Sequence, residues 1–112
     1  IIMAQDFERA SASAVGTSET TLLTSNSDDA LIGIRVTNIL SSAVTCDCYI
    51  DKTGSGTDYH ICKGLSIPPN SSVELIQGGA KIVIQNTDIL HIKSDTGSAL
   101  DVWVSYVDSI ST

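Results

Sequence analysis

The chain has 112 residues, enough for one domain with a core of its own and too few for two of ordinary size. Thirteen acidic against six basic residues leave a formal charge of −7, which argues against a phosphate-backbone binder, because displacing counterions needs Lys and Arg. No apolar run approaches the ~18–20 residues of a membrane helix, so neither direct nucleic-acid binding nor a membrane span is expected.

Aromatic residues make up only 4% of the chain, so the core must rest on Ile, Val and Leu, which are mostly stiff, β-favouring residues. The start, Ile1-Ile2-Met3-Ala4, is too short for the apolar region of a signal peptide, and Met3 is a candidate natural start. Residues 1–18 carry Phe7 and a run of small residues over 10–16, with no strong apolar period. They are expected to form an extended N-terminal arm docked on a neighbouring subunit, with a weak first strand or a floppy terminus as alternatives. Residues 19–112 read as a single domain. TTLLT at 20–24 is a short strand, followed by the polar turn Ser25-Asn26-Ser27-Asp28-Asp29.

Residues 30–51 are expected to form the central hairpin, two strands joined by a turn at Ser41-Ser42. Ile32, Ile34 and Val36 share one face of the first strand, opposite Gly33, Arg35 and Thr37. Val44, Cys46, Cys48 and Ile50 share one face of the second, opposite Thr45, Asp47, Tyr49 and Asp51. A period of two means one buried and one wet face. Lys52 to Thr57 is a loop of residues that tolerate positive φ. Alternation resumes over 58–65, with Tyr59 and Ile61 expected inside and His60 and Cys62 outside. Pro68-Pro69 ends that ladder and marks a crossing between sheets. Further strands are expected at 72–76, 81–85, 89–93 and 100–107, separated by turns at Gln77-Gly78-Gly79, Asn86-Thr87-Asp88 and Asp95-Thr96-Gly97-Ser98. About eight strands with turn signals every ~8–12 residues and no helical period predict an all-β, antiparallel β-sandwich, jelly-roll-like or Ig-like; a small barrel has the same rhythm.

Three cysteines are an odd set, which fits reduced thiols in a reducing cytoplasm better than an extracellular disulfide scaffold. His60, Cys46, Cys48 and Cys62 are zinc-like ligand types, but Cys62 and His60 are expected to face away from the other two, and C-x-C lacks the usual two-residue knuckle. Buried cysteines as small apolar side chains account for them better. Asp47, Asp51 and Asp58 lack the ligand order of a calcium loop. No G-x-S-x-G elbow is present, Gly54-Ser55-Gly56 opens no helix, and His60 and His91 fall on outer faces. No catalytic residue, metal or cofactor is therefore expected, and the protein is read as a non-enzyme.

The outer faces carry more information. Trp103 and Val107 lie opposite the core set of the last strand, and Ile76 and Val83 also fall off the buried register. Aromatic residues concentrate at the centres of interfaces. Phe7, Val15, Arg35, Tyr49, Trp103 and Val107 are the candidate contact residues for a neighbouring subunit. A second possibility is a carbohydrate- or receptor-binding module with Tyr49, Tyr59 and Trp103 as stacking platforms.

Four stretches, Ala12-Ser13-Ala14-Val15-Gly16-Thr17-Ser18, Ile32-Gly33-Ile34-Arg35-Val36-Thr37-Asn38, residues 65–75 and Val102-Trp103-Val104-Ser105-Tyr106, resemble small virion structural proteins of tailed bacteriophages, including those of cyanobacteria. The resemblance spans about residues 10–108 and rests on strand and turn patterns. It implies a non-enzymatic β-sandwich present in many copies on a virion assembled in the host cytoplasm, as capsid decoration or as part of the neck, tail or baseplate. Its implied partners are other virion proteins and further copies of the same chain. The three cysteines stand outside the pattern.

Overall fold

The computed structural model describes residues 5–110; the apolar start over 1–4 and its candidate Met3 lie outside them. Nine strands form: β1 (Asp6–Val15), β2 (Thr20–Thr24), β3 (Asp29–Asn38), β4 (Val44–Asp51), β5 (Asp58–Ile67), β6 (Ser72–Glu74), β7 (Ile82–Ile84), β8 (Ile89–Ser94) and β9 (Leu100–Asp108). A single 3-10 turn at Lys52–Gly54 follows β4, with Thr53 and Gly54 at positive φ as the loop composition predicts.

Every pairing is antiparallel and the pairs are nested: β4 with β5, β3 with β6 and β7, β2 with β8, β1 with β9. The chain is one long ribbon doubled back between β4 and β5 and then rolled, so that β9 also lies against β3 and β8 against β4. One sheet runs β1-β9-β3-β6, with β7 continuing along β3; the other runs β2-β8-β4-β5. This is an all-β sandwich, and of the two expected arrangements its strand order is that of a jelly roll.

Residues 30–51 do not form the expected hairpin. β3 lies in the first sheet and β4 in the second, so the chain arches between sheets over residues 39–43. A period of two reports which side chains are buried, and that reading is the same for a hairpin and for an arch facing one core. Asn38 holds the arch. Its side chain is fully buried; Nδ2 donates to the carbonyls of Ser42 (2.8 Å) and Ile67 (3.0 Å), and Oδ1 accepts from the Leu40 amide. The Pro68-Pro69 joint does carry the chain from β5 in the second sheet to β6 in the first.

Two irregularities move residues off the simple alternation. A register shift between Leu31 and Gly33 inserts Ile32, so Leu31 and Ile34 both point inward and Ile32 is only half-buried. A β-bulge turns the strand in this way, because two residues oppose one. Glu74 braces the bulge by accepting from the amides of Ile34 and Ile76. Ile76, expected off the buried register, is buried.

Residues 6–15 are an edge strand of the first sheet, paired with β9 from Asp6 to Ala12 and again at Val15. Over its described residues, the segment expected as a separate arm is thus bonded into the sandwich. Its small side chains explain why: Ala10 and Ala12 lie half-buried against the core, and the rest of the strand stays exposed up to Val15, which is buried.

The core fills the space between the sheets with Leu31, Ile34, Val36, Leu100 and Val104 from one side and Val44, Cys46, Leu90 and Ile92 from the other. Each such Leu, Ile or Val contributes about 1.5–3 kcal/mol by leaving water. Ile34→Ala is the kind of single change that would endanger the fold, at about 2–5 kcal/mol.

Candidate functional site

The outer face of the first sheet is built from strands whose outward residues fall in cross-strand rows. Phe7 pairs with Val107, Val107 with Ala30, and Ala30 with Val83, giving one apolar row across β1, β9, β3 and β7. Its two ends are open to solvent, Phe7 being 82% exposed and Val83 56%. A second row runs Ser11, Trp103, Arg35, Glu74. Trp103 is half exposed, and the Arg9 guanidinium lies over its ring, 5.8 Å from the centroid. Arg35 Nε sits 3.7 Å from Glu74 Oε1 in an exposed pair that adds little stability. Both arginines of an acidic chain therefore flank its only tryptophan.

Beside the indole is a shallow groove of about 280 Å³ walled by Ser11, Ser13, Arg35, Thr37, Asp101 and Trp103. Asp101 Oδ1 accepts from the Ala14 amide (3.0 Å) and from the Ser13 hydroxyl (3.3 Å), which fixes the end of β1 and the groove wall together. A wider depression of about 710 Å³ adjoins it along β1 and β9, with Phe7, Arg9, Ile32 and Ser105 among its walls.

Of the residues expected at a contact surface, Phe7, Arg35, Trp103 and Val107 lie together on this face. Val15 does not, because it turns inward beyond the register shift of β1 and packs in the core. Tyr49 is also unavailable. It is on the outer side of the second sheet but only 3% exposed, flanked by the rings of His60 (5.1 Å) and His91 (5.5 Å). Its hydroxyl donates to Glu19 Oε1 at 2.6 Å, and His91 Nδ1 lies 3.2 Å from the Thr21 hydroxyl. Burial and then the Glu19 carboxylate push the Tyr49 phenol well above its usual range. His91, expected on a wet face, is buried within this group.

The three cysteines are closer together than alternation suggests. Two single-residue bulges on β5, one at Ile61 and one at Lys63-Gly64, bring Cys62 directly opposite Cys48 on the inner face. Tyr59 lies exposed at the open end of the sandwich, and His60 stays outside. Gly64 takes the positive φ of its bulge and its amide is held by Asp47 Oδ1 at 2.7 Å. Asp51 similarly accepts from the Gly56 amide. These aspartates are engaged as local backbone acceptors, and among the described residues no group of three or more His, Cys, Asp or Glu is arranged to hold a metal ion.

No protein-family model matches this chain, and no curated protein matches it. Among solved structures it is similar to the infectious bursal disease virus VP2 subviral particle, at 12% identity and a TM-score of 0.34. That match covers 92% of this chain and 40% of the VP2 chain, so this chain spans about two fifths of that protein's length. The fold assignment rests on the strand pairing described above.

One further cluster was not signalled by any motif. Asp29 is buried at the start of β3, where Oδ1 accepts from the Ser27 hydroxyl (2.9 Å) and the Ser109 amide (3.2 Å) and Oδ2 from the Ser25 hydroxyl (2.9 Å). The Ser27 hydroxyl also lies 2.9 Å from Asp108. Burial, and then the Asp108 carboxyl, push the Asp29 carboxyl above the usual range, while the hydrogen bond from Asp29 holds Asp108 below it. Through Ser27 and Ser109 this cluster ties the end of β9 to the turn before β3.

Proposed function

We propose that this chain is a non-enzymatic virion structural protein that assembles in many copies through the outer face of its first sheet. The observation that carries the reading is the apolar row from Phe7 to Val83, exposed at both ends, on the same sheet face as Trp103 and its two arginines. Large exposed apolar groups rimmed by polar ones mark surfaces that meet a partner, and Trp and Arg supply much of the energy at such contacts. The strand and turn patterns that resemble small virion proteins of tailed phages support a particle as the setting, with capsid decoration, neck, tail or baseplate as the places it would occupy. Other virion proteins and copies of this chain are the partners, and the virion, assembled in the host cytoplasm, is the location.

The test is to add purified protein to phage particles stripped of it and to follow self-association by light scattering. Rebinding or concentration-dependent assembly is the expected result. A protein that stays monomeric at high concentration and fails to bind stripped particles would refute the proposal.

The groove beside Trp103 favours a second reading, a carbohydrate-binding module. The indole would stack on the apolar face of a sugar while Ser11, Ser13, Thr37 and Asp101 meet its hydroxyls. The burial of Tyr49 removes one of the expected stacking platforms; Tyr59 stays exposed but lies outside this groove, where Trp103 is the only aromatic wall. A glycan array without hits would eliminate it.

A further inference from the structure

The cysteines have no part in the assembly reading, yet their placement is specific. The Sγ atoms of Cys46 and Cys62 lie 3.7 Å apart, and the Cys62 thiol also reaches the Cys46 carbonyl at 3.7 Å. Cys46 is fully buried on β4, whereas Cys62 is half-buried on β5, an edge strand of its sheet, with a bulge on either side. We infer that Cys46 and Cys62 form an oxidation site that takes a hydroperoxide and closes to a disulfide joining β4 to β5, with Cys48 as a bystander.

Exposure and chemistry divide the roles. The thiolate is the nucleophile towards peroxide, and susceptibility follows thiolate character together with access. Cys62 has both. The hydrogen bond it shares with Cys46 outweighs partial burial and brings its thiol down to about 7. Cys48 lies directly opposite Cys62, but burial pushes its thiol up to about 12 and leaves it protonated. Cys46 is pushed up as well, first by the hydrogen bond it shares with Cys62 and then by burial, so it is not the first to react.

In the first step the Cys62 thiolate attacks one peroxide oxygen. A sulfur–oxygen bond forms, the oxygen–oxygen bond breaks, and the other oxygen leaves as hydroxide and takes a proton to become water. Sulfur is oxidised by two electrons to the sulfenic acid and the peroxide is reduced. In the second step the Cys46 sulfur attacks the Cys62 sulfur. The sulfur–sulfur bond forms, the sulfur–oxygen bond breaks, and the departing hydroxide takes the Cys46 proton to leave as a second water. Two thiols and one hydrogen peroxide thus give one disulfide and two waters. The sulfurs must approach from 3.7 Å to the roughly 2 Å of a disulfide bond.

The full chain, purified under reductant and then freed of it, would be treated with stoichiometric hydrogen peroxide and its free thiols counted after denaturation. Two of the three thiols are expected to disappear, fragmentation should place the bond between Cys46 and Cys62, and a thiol reductant should restore all three. Cys48→Ser should oxidise like the natural chain. Cys46→Ser, which keeps a hydroxyl beside Cys62, should form no such disulfide and leave a sulfenic acid at Cys62 that dimedone traps. Cys62→Ser, at the less buried position, should lose the disulfide and the dimedone adduct together, and circular dichroism would confirm that each variant is folded. Three intact thiols after peroxide treatment, or a disulfide mapped to Cys48, would overturn the inference even if every variant failed to fold, because both are read on the natural chain.

Discussion

The Arg9 guanidinium lies over the Trp103 ring at 5.8 Å, from a strand that pairs with the tryptophan's own strand in antiparallel register. A cation over an exposed indole contributes about 0.5–1 kcal/mol, too little to matter to the fold and enough to hold the ring in one orientation. Trp103→Ala is therefore expected to change unfolding free energy by about 1 kcal/mol or less, yet to weaken self-association or particle binding by about tenfold or more, as loss of an aromatic anchor does. Chemical denaturation and sedimentation on the same preparation separate the two effects. Undiminished binding would move the interface elsewhere.

Asn38→Ala is expected to cost about 2–4 kcal/mol. Its amide is buried and satisfies the carbonyls of Ser42 and Ile67, and those would be left without their donor in a place water reaches poorly. Asn38→Asp should be at least as harmful, since it turns a carboxylate towards carbonyl oxygens. Urea midpoints compared at one pH are sufficient to check both.

Tyr49→Phe keeps the ring between His60 and His91 and deletes only the bond to Glu19. Because Glu19 is exposed, the expected loss is about 1 kcal/mol. A double-mutant cycle with Glu19→Gln should return a coupling of that size, and a coupling near zero would show that the bond is not made in solution.

Asp29 gives the fold a defined dependence on pH. Its carboxyl is raised above the usual range by burial, so the native state binds that proton more tightly than the unfolded chain. The stability it supplies is complete below the unfolded value and is lost as the pH rises through the folded one. Asp108 is lowered and has the opposite sign, losing its contribution only as the pH falls through its folded value. Asp29→Asn imitates the protonated acid at every pH. It should be more stable than the natural chain at neutral pH, with the advantage shrinking as the solution is acidified into the ordinary carboxylate range. Thermal melts across that range give the answer, and a constant difference would disprove the assignment.

Strand positions were legible because alternation of Ile, Val and Leu with polar residues survives in the sequence; β2 falls on TTLLT, and β9 begins at Leu100 as expected. Pairing was not legible. The link over residues 39–43 is as long as many hairpin loops, and the residue that commits it to an arch, Asn38, does so through carbonyls 4 and 29 positions away. Parity failed where bulges intervene, at Ile32 and Ile61, since one inserted residue exchanges the faces of everything beyond it. Three residues of the candidate face, Arg35, Trp103 and Val107, were found from the same alternation; Phe7 was named as a large apolar residue in a segment without it. Arg9 was missed, because only the register of β1 against β9 brings it to the indole.

The nested pairing also dictates an order of events during folding. β4 and β5 are neighbours in the chain, whereas β1 waits for β9, which leaves the ribosome roughly ninety residues later. Closing so long a loop costs entropy before any bond compensates, and chains rich in such distant pairs fold in milliseconds to seconds, not microseconds. The ribbon is expected to close from the β4–β5 end outward, with β9 sliding between β1 and β3 last. A chain cut before Leu100 should therefore show no cooperative melt by circular dichroism, while addition of the missing segment in cis restores it. Until that final strand arrives, β1 and β3 present bare edges, and a nascent copy is at its most exposed to wrong partners just before synthesis of the sheet is complete.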